Sequence, residues 1–516
     1  MKEPQNAKDL LDRLLPLVIS SSNDVAPLIS PLNGALISQV PISSRDDIDT
    51  AFKRARSTFT TWSKVSLNDR IAIINRFHDL VLNKQAEILD IIQWENGKAR
   101  SNALDEVLDV ALTCRYYSKV TKKLLKPKRK RGAFPIVTKT WHVVHPIGVI
   151  GVISPWNYPF TLSVSDYIPA ILAGNTVVIK PDLQTPLTAL WAIEQLKKAG
   201  LPDGVINIVL GDGAAVGPEI VANADYIMFT GSTRVGRTVA SEAGKRLIGA
   251  SMELGGKNSL IIDQNSNLEQ AVEIAVRGAF ANAGQLCIGT ERILVHENII
   301  EKFTERFVDA VSKLKVGNEI GWNGDVGPLI NEKQVETARV HIEDALTNGA
   351  RVLIGGTPLP DVSPFAFAPT VLADVTDEAL VCKTETFAPV CSIYPWKTEG
   401  DLLSRVNDTD YGLNAGIVSS DVVWARNLAL RIKTGTVNIN EAFGSAYASI
   451  DSPMGGMGQS GVGRRHGSEG LLKYTESQTI SVQRWMKLSA QWGLSDEAWA
   501  RFTTLALKIL KALRFR

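Results

Sequence analysis

Four cysteines in 516 residues (Cys114, Cys287, Cys382 and Cys391) are too few and too scattered for a disulfide framework. No C-x2-C or H-E-x-x-H spacing offers a metal cage, so no metal site is expected. Neither sign of charge is in excess: 56 Lys and Arg against 54 Asp and Glu leave a formal +2. That balance provides no global field to draw the chain to nucleic acid or acidic lipid. No window reaches the ~18 uncharged apolar residues that a membrane span needs. The amino-terminal stretch MKEPQNAKDLLDRLL mixes acids with bases and has no apolar centre, so it does not read as a secretory signal. These absences point to a soluble chain in a reducing, cytoplasmic compartment. With 45% hydrophobic and 21% charged residues, the chain is ordinary in composition and long enough for two or three domains.

Among the features present, Ile71, Ile74, Phe77 and Val81 recur at helical spacing behind Ser66, which predicts a capped helix. From about residue 147 the rhythm changes. The short apolar runs GVIGVIS, TVVIK, INIVL and YIMFT alternate with helical stretches, as strands and crossovers of a parallel sheet do. This is an α/β nucleotide-fold pattern. Between these regions, seven Lys or Arg lie from Lys122 to Arg131, punctuated by Pro127 and Gly132. Without an aromatic platform or a second basic cluster, they read as a loop and not as a nucleic-acid patch. The following FPIVTKTWHVVHPIG alternates like a strand or hairpin leaving the globular body. No internal repeat is present.

Two glycine-rich stretches could meet a nucleotide. GDGAAVG, from Gly211 to Gly217, has one residue too many before its last glycine for a dinucleotide fingerprint, and as a turn it needs no ligand. In FTGSTRVGR, Gly231 and Ser232 open a predicted helix whose unpaired N–H groups and dipole favour a phosphate. Cys287, within NAGQLCIGTER, is by itself as well explained as a small core filler. Cys114, Cys382 and Cys391 read as packing residues, and His466 reads as structural or surface-lying.

These stretches, together with ISPWNYP (153–159), MELGGKN (252–258), KTETFAPV (383–390) and PMGGMGQSGVGRRHG (453–467), resemble the aldehyde dehydrogenase superfamily from about residue 30 to 485. The pairing of Glu253 in E-L-G-G-K with Cys287 in G-Q-x-C carries most of that resemblance. Within the family, the segments look most like the bacterial branch that oxidises succinate semialdehyde with NADP. The resemblance implies an α/β fold with a Rossmann-type cofactor domain (1–125 and 147–252) and an α/β catalytic domain (253–475). It also implies a β-hairpin oligomerisation arm built from segments 126–146 and 476–490, hence a homodimer or homotetramer.

The implied chemistry is oxidation of an aldehyde to a carboxylic acid through a cysteine thiohemiacetal and thioester. Cys287 would be the nucleophile, Asn157 and the Cys287 N–H would hold the oxyanion, and Glu253 would activate the hydrolytic water. The cofactor would be held by Trp156 and Asn157 near the nicotinamide, Lys180, Pro181, Asp182 and Leu183 near the adenosine ribose, and Gly231 and Ser232 at the pyrophosphate. Leu254 would offer backbone groups to the carboxamide, Glu385 would hold the nicotinamide ribose, and Phe387 would pack there. Leu183 stands where NAD-selective relatives commonly carry Glu, so NADP is expected, with NAD possible.

Ser165 and Ala281 occupy positions at which succinate-semialdehyde enzymes place arginines. Phe160, Phe280, Phe443 and Tyr447 are expected to line the substrate entry instead, which would suit an aromatic or medium-chain aldehyde. A catalytically silent relative would show damage to the thiol, the base or the oxyanion amide, and all three are intact. The tail, residues 491–516, aligns Trp499, Phe502, Ala506, Ile509 and Leu513 on one helical stripe among Arg501, Lys508, Lys511 and Arg514. The expected use is to cover an apolar patch of its own body or of a partner subunit; peripheral membrane contact is the alternative.

Overall fold

The computed structural model describes residues 3–132, 138–485 and 487–514. Part of the FPIVT stretch expected to form a strand, and the last two tail residues, lie outside them. The chain divides into two compact units: Met1–Thr121 with Pro146–Tyr474, and Lys122–His145 with Thr475–Arg516.

In the first unit, the apolar runs become strands as their composition dictates. A six-stranded sheet runs in the order Gly461–Val462, Gly249–Glu253, Tyr226–Thr230, Val149–Ile153, Thr176–Lys180, Ile206–Ile208. All neighbours are parallel except the Gly461–Val462 edge. The central strands are buried on both faces, which is why they read as continuous apolar runs and not as alternations. INIVL yields only a three-residue strand at the sheet edge. From Val149–Ile153 the chain winds outward through Thr176–Lys180 and Ile206–Ile208, then returns to Tyr226–Thr230 on the other side. The resulting switch point opens a crevice at the carboxyl ends of the strands.

A seven-stranded sheet follows, in the order Arg351–Ile354, Thr370–Ala373, Val390–Trp396, Thr290–His296, Asn258–Ile262, Asn414–Val418, Thr436–Ile439. It is parallel apart from its first pair. Its strands and helices enclose a core of buried aliphatic and aromatic side chains. The predicted amino-terminal helix spans Leu67–Asn83, with the Ser66 hydroxyl accepting from the Asp69 N–H at 3.2 Å and Ile74, Phe77 and Val81 buried; Ile73, not Ile71, completes the core face.

The second unit contains a three-stranded sheet ordered Thr475–Gln483, Thr138–Pro146, Lys128–Arg131, and a helix, Asp496–Ala512. The basic run expected as a loop is therefore the end of the helix Arg100–Leu125 followed by a strand. All four residues of that strand are exposed, so no burial pattern could betray it. No helix among the described residues is long and apolar enough to cross a membrane.

Candidate active site

The two sheets of the first unit present opposite ends to one cavity of about 380 Å³. From the carboxyl ends of the first sheet come Trp156 and Asn157 after Val149–Ile153, Gly231 and Ser232 after Tyr226–Thr230, and Glu253 and Leu254 at the end of Gly249–Glu253. From the amino ends of the second come Cys287, ahead of Thr290–His296, and Glu385 and Phe387, ahead of Val390–Trp396. Nine residues expected at the site thus line one space.

Cys287 is reached through an unusual turn. Asn282 (φ 52°), Ala283 (φ 54°) and Gly284 (φ 69°) are successively left-handed, a conformation costing roughly 1–2 kcal/mol for each residue bearing a Cβ. At Gly284 a Cβ would lie 2.0 Å from the Ala388 carbonyl oxygen, so glycine is required there. Hydrogen bonds hold the turn. Asn282 donates its N–H to Asn102 Oδ1 (2.9 Å) and its amide to the Asn157 carbonyl (2.9 Å) and the Gln285 carbonyl (3.0 Å). Beyond the thiol, Asn258 Nδ2 donates to the carbonyls of Cys287 (2.7 Å) and Gly289 (2.8 Å).

Asn157 is fixed equally firmly. Its carbonyl accepts from Lys98 Nζ at 2.6 Å, and its Nδ2 donates to the Gln285 carbonyl at 3.1 Å. One amide hydrogen is thereby committed and the other remains for a ligand in the cavity. Lys98 is fully buried, paired with Glu106 at 2.7 Å, and Glu106 accepts the N–H groups of Phe160 (2.7 Å) and Thr161 (3.1 Å).

Burial pushes the Glu253 carboxyl up to about 8, against the pull of Arg465 and Lys473. Its Oε1 is buried without a hydrogen-bond partner. Behind it, Arg465 pairs with Asp166 at 2.9 Å, both buried. Burial, then Glu385 and Glu253, push the Cys287 thiol up to about 12, opposed by Arg465 and the Ile288 N–H. Burial therefore biases both groups toward their protonated forms in the resting site.

The opposite end of the cavity fits a dinucleotide. Ser232 caps the helix Thr233–Lys245, its hydroxyl accepting from the Val235 N–H at 3.4 Å, and the helix start supplies N–H groups for a phosphate. Glu385 accepts from the Gly256 N–H at 2.9 Å and is pushed up to about 8 by burial and then Glu291. Phe387, itself left-handed at φ 55°, meets Trp156 edge-to-face at 5.6 Å. Glu291 anchors that segment by accepting the N–H groups of Thr386 and Phe387, both at 3.0 Å, and it pairs with buried Lys257 of E-L-G-G-K. The Leu254 N–H is taken by the Ser460 carbonyl at 2.9 Å, so of its backbone groups only the carbonyl is left for a ligand.

Lys180, Pro181, Asp182 and Leu183 continue the strand Thr176–Lys180 without lining the cavity; Gln184 does line it. Lys180 is buried with its Nζ 3.3 Å from the Pro181 carbonyl, and burial lowers its pKa despite Asp182 and Asp212. Asp182 is spent locally, accepting the Gln184 N–H at 3.0 Å.

Around Cys287 on the other side, Tyr158, Leu162, Phe443 and Met454 form an apolar cluster with Tyr447 at its margin. Of the four aromatics expected at the entry, Phe443 and Tyr447 are there. Phe160 instead packs on Trp191 at 5.8 Å, and Phe280 stacks on Phe307 at 6.2 Å, both in the core. Ser165 donates to Asp109 at 2.6 Å and Ala281 is buried. His466 is buried, not surface-lying. The sequence reading missed Lys98, Glu106, Asn282, Gln285, Glu291 and Arg465. Glu106 did leave a signal: it shares a helix face with the buried Ala103, Val107 and Val110, where a carboxylate has no solvent.

The raised thiol yields a test. Without added nucleotide, alkylation of Cys287 by iodoacetamide should keep accelerating above about pH 8.5, where an ordinary cysteine levels off. Glu253→Gln and Glu385→Gln should each reach the same rate at lower pH, because each removes a negative charge facing the sulfur. A wild-type plateau at or below about pH 8.5 would contradict this electrostatic account.

Residues 18–480 match the aldehyde dehydrogenase family. The Mycobacterium tuberculosis protein named "Putative succinate-semialdehyde dehydrogenase [NADP(+)] 2" is 44% identical over 501 residues, covering 96% of this chain and 97% of its own. A mitochondrial succinate-semialdehyde dehydrogenase of Oryza sativa is 33% identical over 88% of this chain and 85% of its own. Among solved structures, succinate-semialdehyde dehydrogenase from Burkholderia pseudomallei superposes with a TM-score of 0.86 at 31% identity, covering 90% of this chain and 95% of that one. Betaine aldehyde dehydrogenase from Staphylococcus aureus, in complex with NAD+, gives 0.87 at 28% identity, over 95% and 99%. With the strained thiol turn, the buried carboxylate and the dinucleotide crevice in one cavity, this chain belongs to the aldehyde dehydrogenase family.

Proposed function

We propose that the protein oxidises succinate semialdehyde to succinate, using NADP in preference to NAD. The observation that carries the chemistry is the convergence of Cys287, Asn157 and Glu253 on one cavity. The Cys287 thiol first gives its proton to solvent water, and the thiolate sulfur then adds to the carbonyl carbon as the carbonyl π pair moves to oxygen. That oxyanion accepts hydrogen bonds from Asn157 Nδ2 and the Cys287 N–H. The nucleotide, when bound, supplies a hydride acceptor for the resulting tetrahedral carbon. Glu253 then takes a proton from the water that attacks the Cys287 thioester, and the C–S bond breaks to release the carboxylic acid. Because the carboxylate form is required, deacylation rises with pH through about 8.

The names of the relatives support the substrate. The apolar cluster of Tyr158, Leu162, Phe443 and Met454 favours a second reading, an aromatic or medium-chain aldehyde, since Ser165 and Ala281 bring no positive charge. For the nucleotide, the helix opened by Gly231 and Ser232 suits the pyrophosphate, Glu385 and Phe387 the nicotinamide ribose, and Lys180 the adenosine side. Residues 1–125 and 147–252 are assigned to cofactor binding and 253–475 to catalysis. The strand Thr475–Gln483, exposed along nearly its whole length, supports segments 126–146 and 476–490 as the arm of a cytoplasmic homodimer or homotetramer.

Three measurements test this reading. Turnover of succinate semialdehyde should exceed that of benzaldehyde and of medium-chain aldehydes. Cys287→Ala should abolish it, while Glu253→Ala should give one burst of reduced nucleotide and leave an acyl adduct on Cys287 by mass spectrometry. A preference for benzaldehyde would overturn the substrate, and unchanged steady-state turnover in either variant would overturn the roles. For the nucleotide, Leu183→Glu should raise kcat/KM for NAD relative to NADP by about tenfold or more, equivalent to ~1.4 kcal/mol of discrimination. A wild-type preference for NAD would contradict the assignment.

A further inference from the structure

The segment Arg484–Arg514 has no part in the chemistry above, and its surface is unlike that of a helix with a covered face. The helix Asp496–Ala512 starts at Ser495, whose hydroxyl accepts the Ala498 N–H at 3.2 Å, and its acids Asp496 and Glu497 are confined to the first turn. Only Trp499 is buried in it, with Nε1 donating to the Leu488 carbonyl at 2.9 Å. The remaining stripe is open: Phe502, Leu505, Ile509 and Leu513, at three- and four-residue spacing, are 46–65% exposed. Trp492, 67% exposed, extends the stripe by meeting Trp499 edge-to-face at 5.7 Å, and Trp485 and Leu488 are exposed as well.

Charge accompanies this apolar surface. From Arg484 to Arg514 there are six bases and two acids. Arg501 is bound to Glu497 at 2.6 Å, whereas among the described residues no carboxylate pairs with Lys508, Lys511 or Arg514. Given 100° per residue, Arg501 and Lys508 project about a quarter-turn from one side of the stripe, Arg514 lies beyond a quarter-turn on its other side, and Lys511 points to the opposite face. Exposed tryptophans, an apolar stripe and a cationic flank are the three components of interfacial binding. Seventeen residues at 1.5 Å rise make a helix of about 25 Å, and it lacks the apolarity to cross a bilayer. Lying in the interface uses the whole stripe.

We propose that this segment docks the enzyme on an anionic lipid bilayer surface, the apolar stripe entering the headgroup boundary and Lys508 and Arg514 meeting lipid phosphates from its two sides.

The test is co-sedimentation of the full-length enzyme with vesicles of phosphatidylglycerol and phosphatidylcholine, against phosphatidylcholine alone. Binding should be at least about tenfold stronger to the anionic vesicles and should fall as salt is raised. Lys508→Glu with Arg514→Glu, and separately Phe502→Ser with Ile509→Ser, should abolish sedimentation while leaving dehydrogenase turnover in solution unchanged. Tryptophan emission should shift to the blue on binding in the wild type alone. Absence of binding, or equal binding to both vesicle types, would overturn the proposal. So would a fall in oligomer size in the Phe502→Ser, Ile509→Ser variant, which would place a partner subunit on the stripe.

Discussion

The fully buried ion pair between Lys98 and Glu106 fixes the loop that carries Asn157, on which the reaction depends. Each charge loses its hydration, and burial biases each toward its neutral form. What keeps the pair charged is saturation: Lys98 donates to Glu106 and to the Asn157 carbonyl, while Glu106 also accepts two backbone N–H groups. A half-satisfied version would be worse than an apolar core, since removing one partner of a buried pair costs about 3–5 kcal/mol. The pair is better understood as a device of position than of stability. It fastens the Asn157 backbone, whose carbonyl also accepts from Asn282 while its side-chain amide donates to the Gln285 carbonyl, both on the turn carrying Cys287. The oxyanion donor and the nucleophile therefore share one rigid frame, assembled before any substrate arrives.

A second buried pair repeats the device at the nucleotide end. Lys257 and Glu291 join E-L-G-G-K to the segment bearing Glu385 and Phe387. The left-handed residues Asn282, Ala283 and Phe387 all sit on these tethered segments. Backbone strain persists where surrounding bonds over-determine it, and here those bonds also determine which groups face the cavity. Burial biases the resting site toward its protonated form. The Glu253 carboxylate raises the cost of ionising Cys287, so thiolate and carboxylate do not coexist cheaply in the cavity.

Much of this was legible in the sequence, for a physical reason that differs residue by residue. Strands such as Tyr226–Thr230 announce themselves because burial on both faces demands unbroken apolar runs. Gly231, Glu253, Cys287 and Glu385 stand in short motifs whose residue types serve chemistry at the same place in the chain. Lys98 and Glu106 were missed because their partners Asn157 and Phe160 lie more than fifty residues away, and a charged residue on a helix is ordinarily solvated. Phe160 and Phe280 were misjudged because adjacency to a motif does not fix where a ring points; each found an aromatic neighbour in the core. The strand Lys128–Arg131 was hidden because it buries nothing.

The central claim is that the Lys98 ammonium acts on catalysis by holding Asn157. It is tested most directly by comparing Lys98→Met combined with Glu106→Gln, which leaves no buried unpaired charge, with Lys98→Arg. In the folded double variant, kcat for aldehyde oxidation should fall about 100- to 1,000-fold, as for loss of one oxyanion donor. The Kd for nucleotide should stay within about threefold, well under ~1.4 kcal/mol of binding energy, and Lys98→Arg should recover part of the rate. An unchanged kcat in that folded double variant would contradict the account.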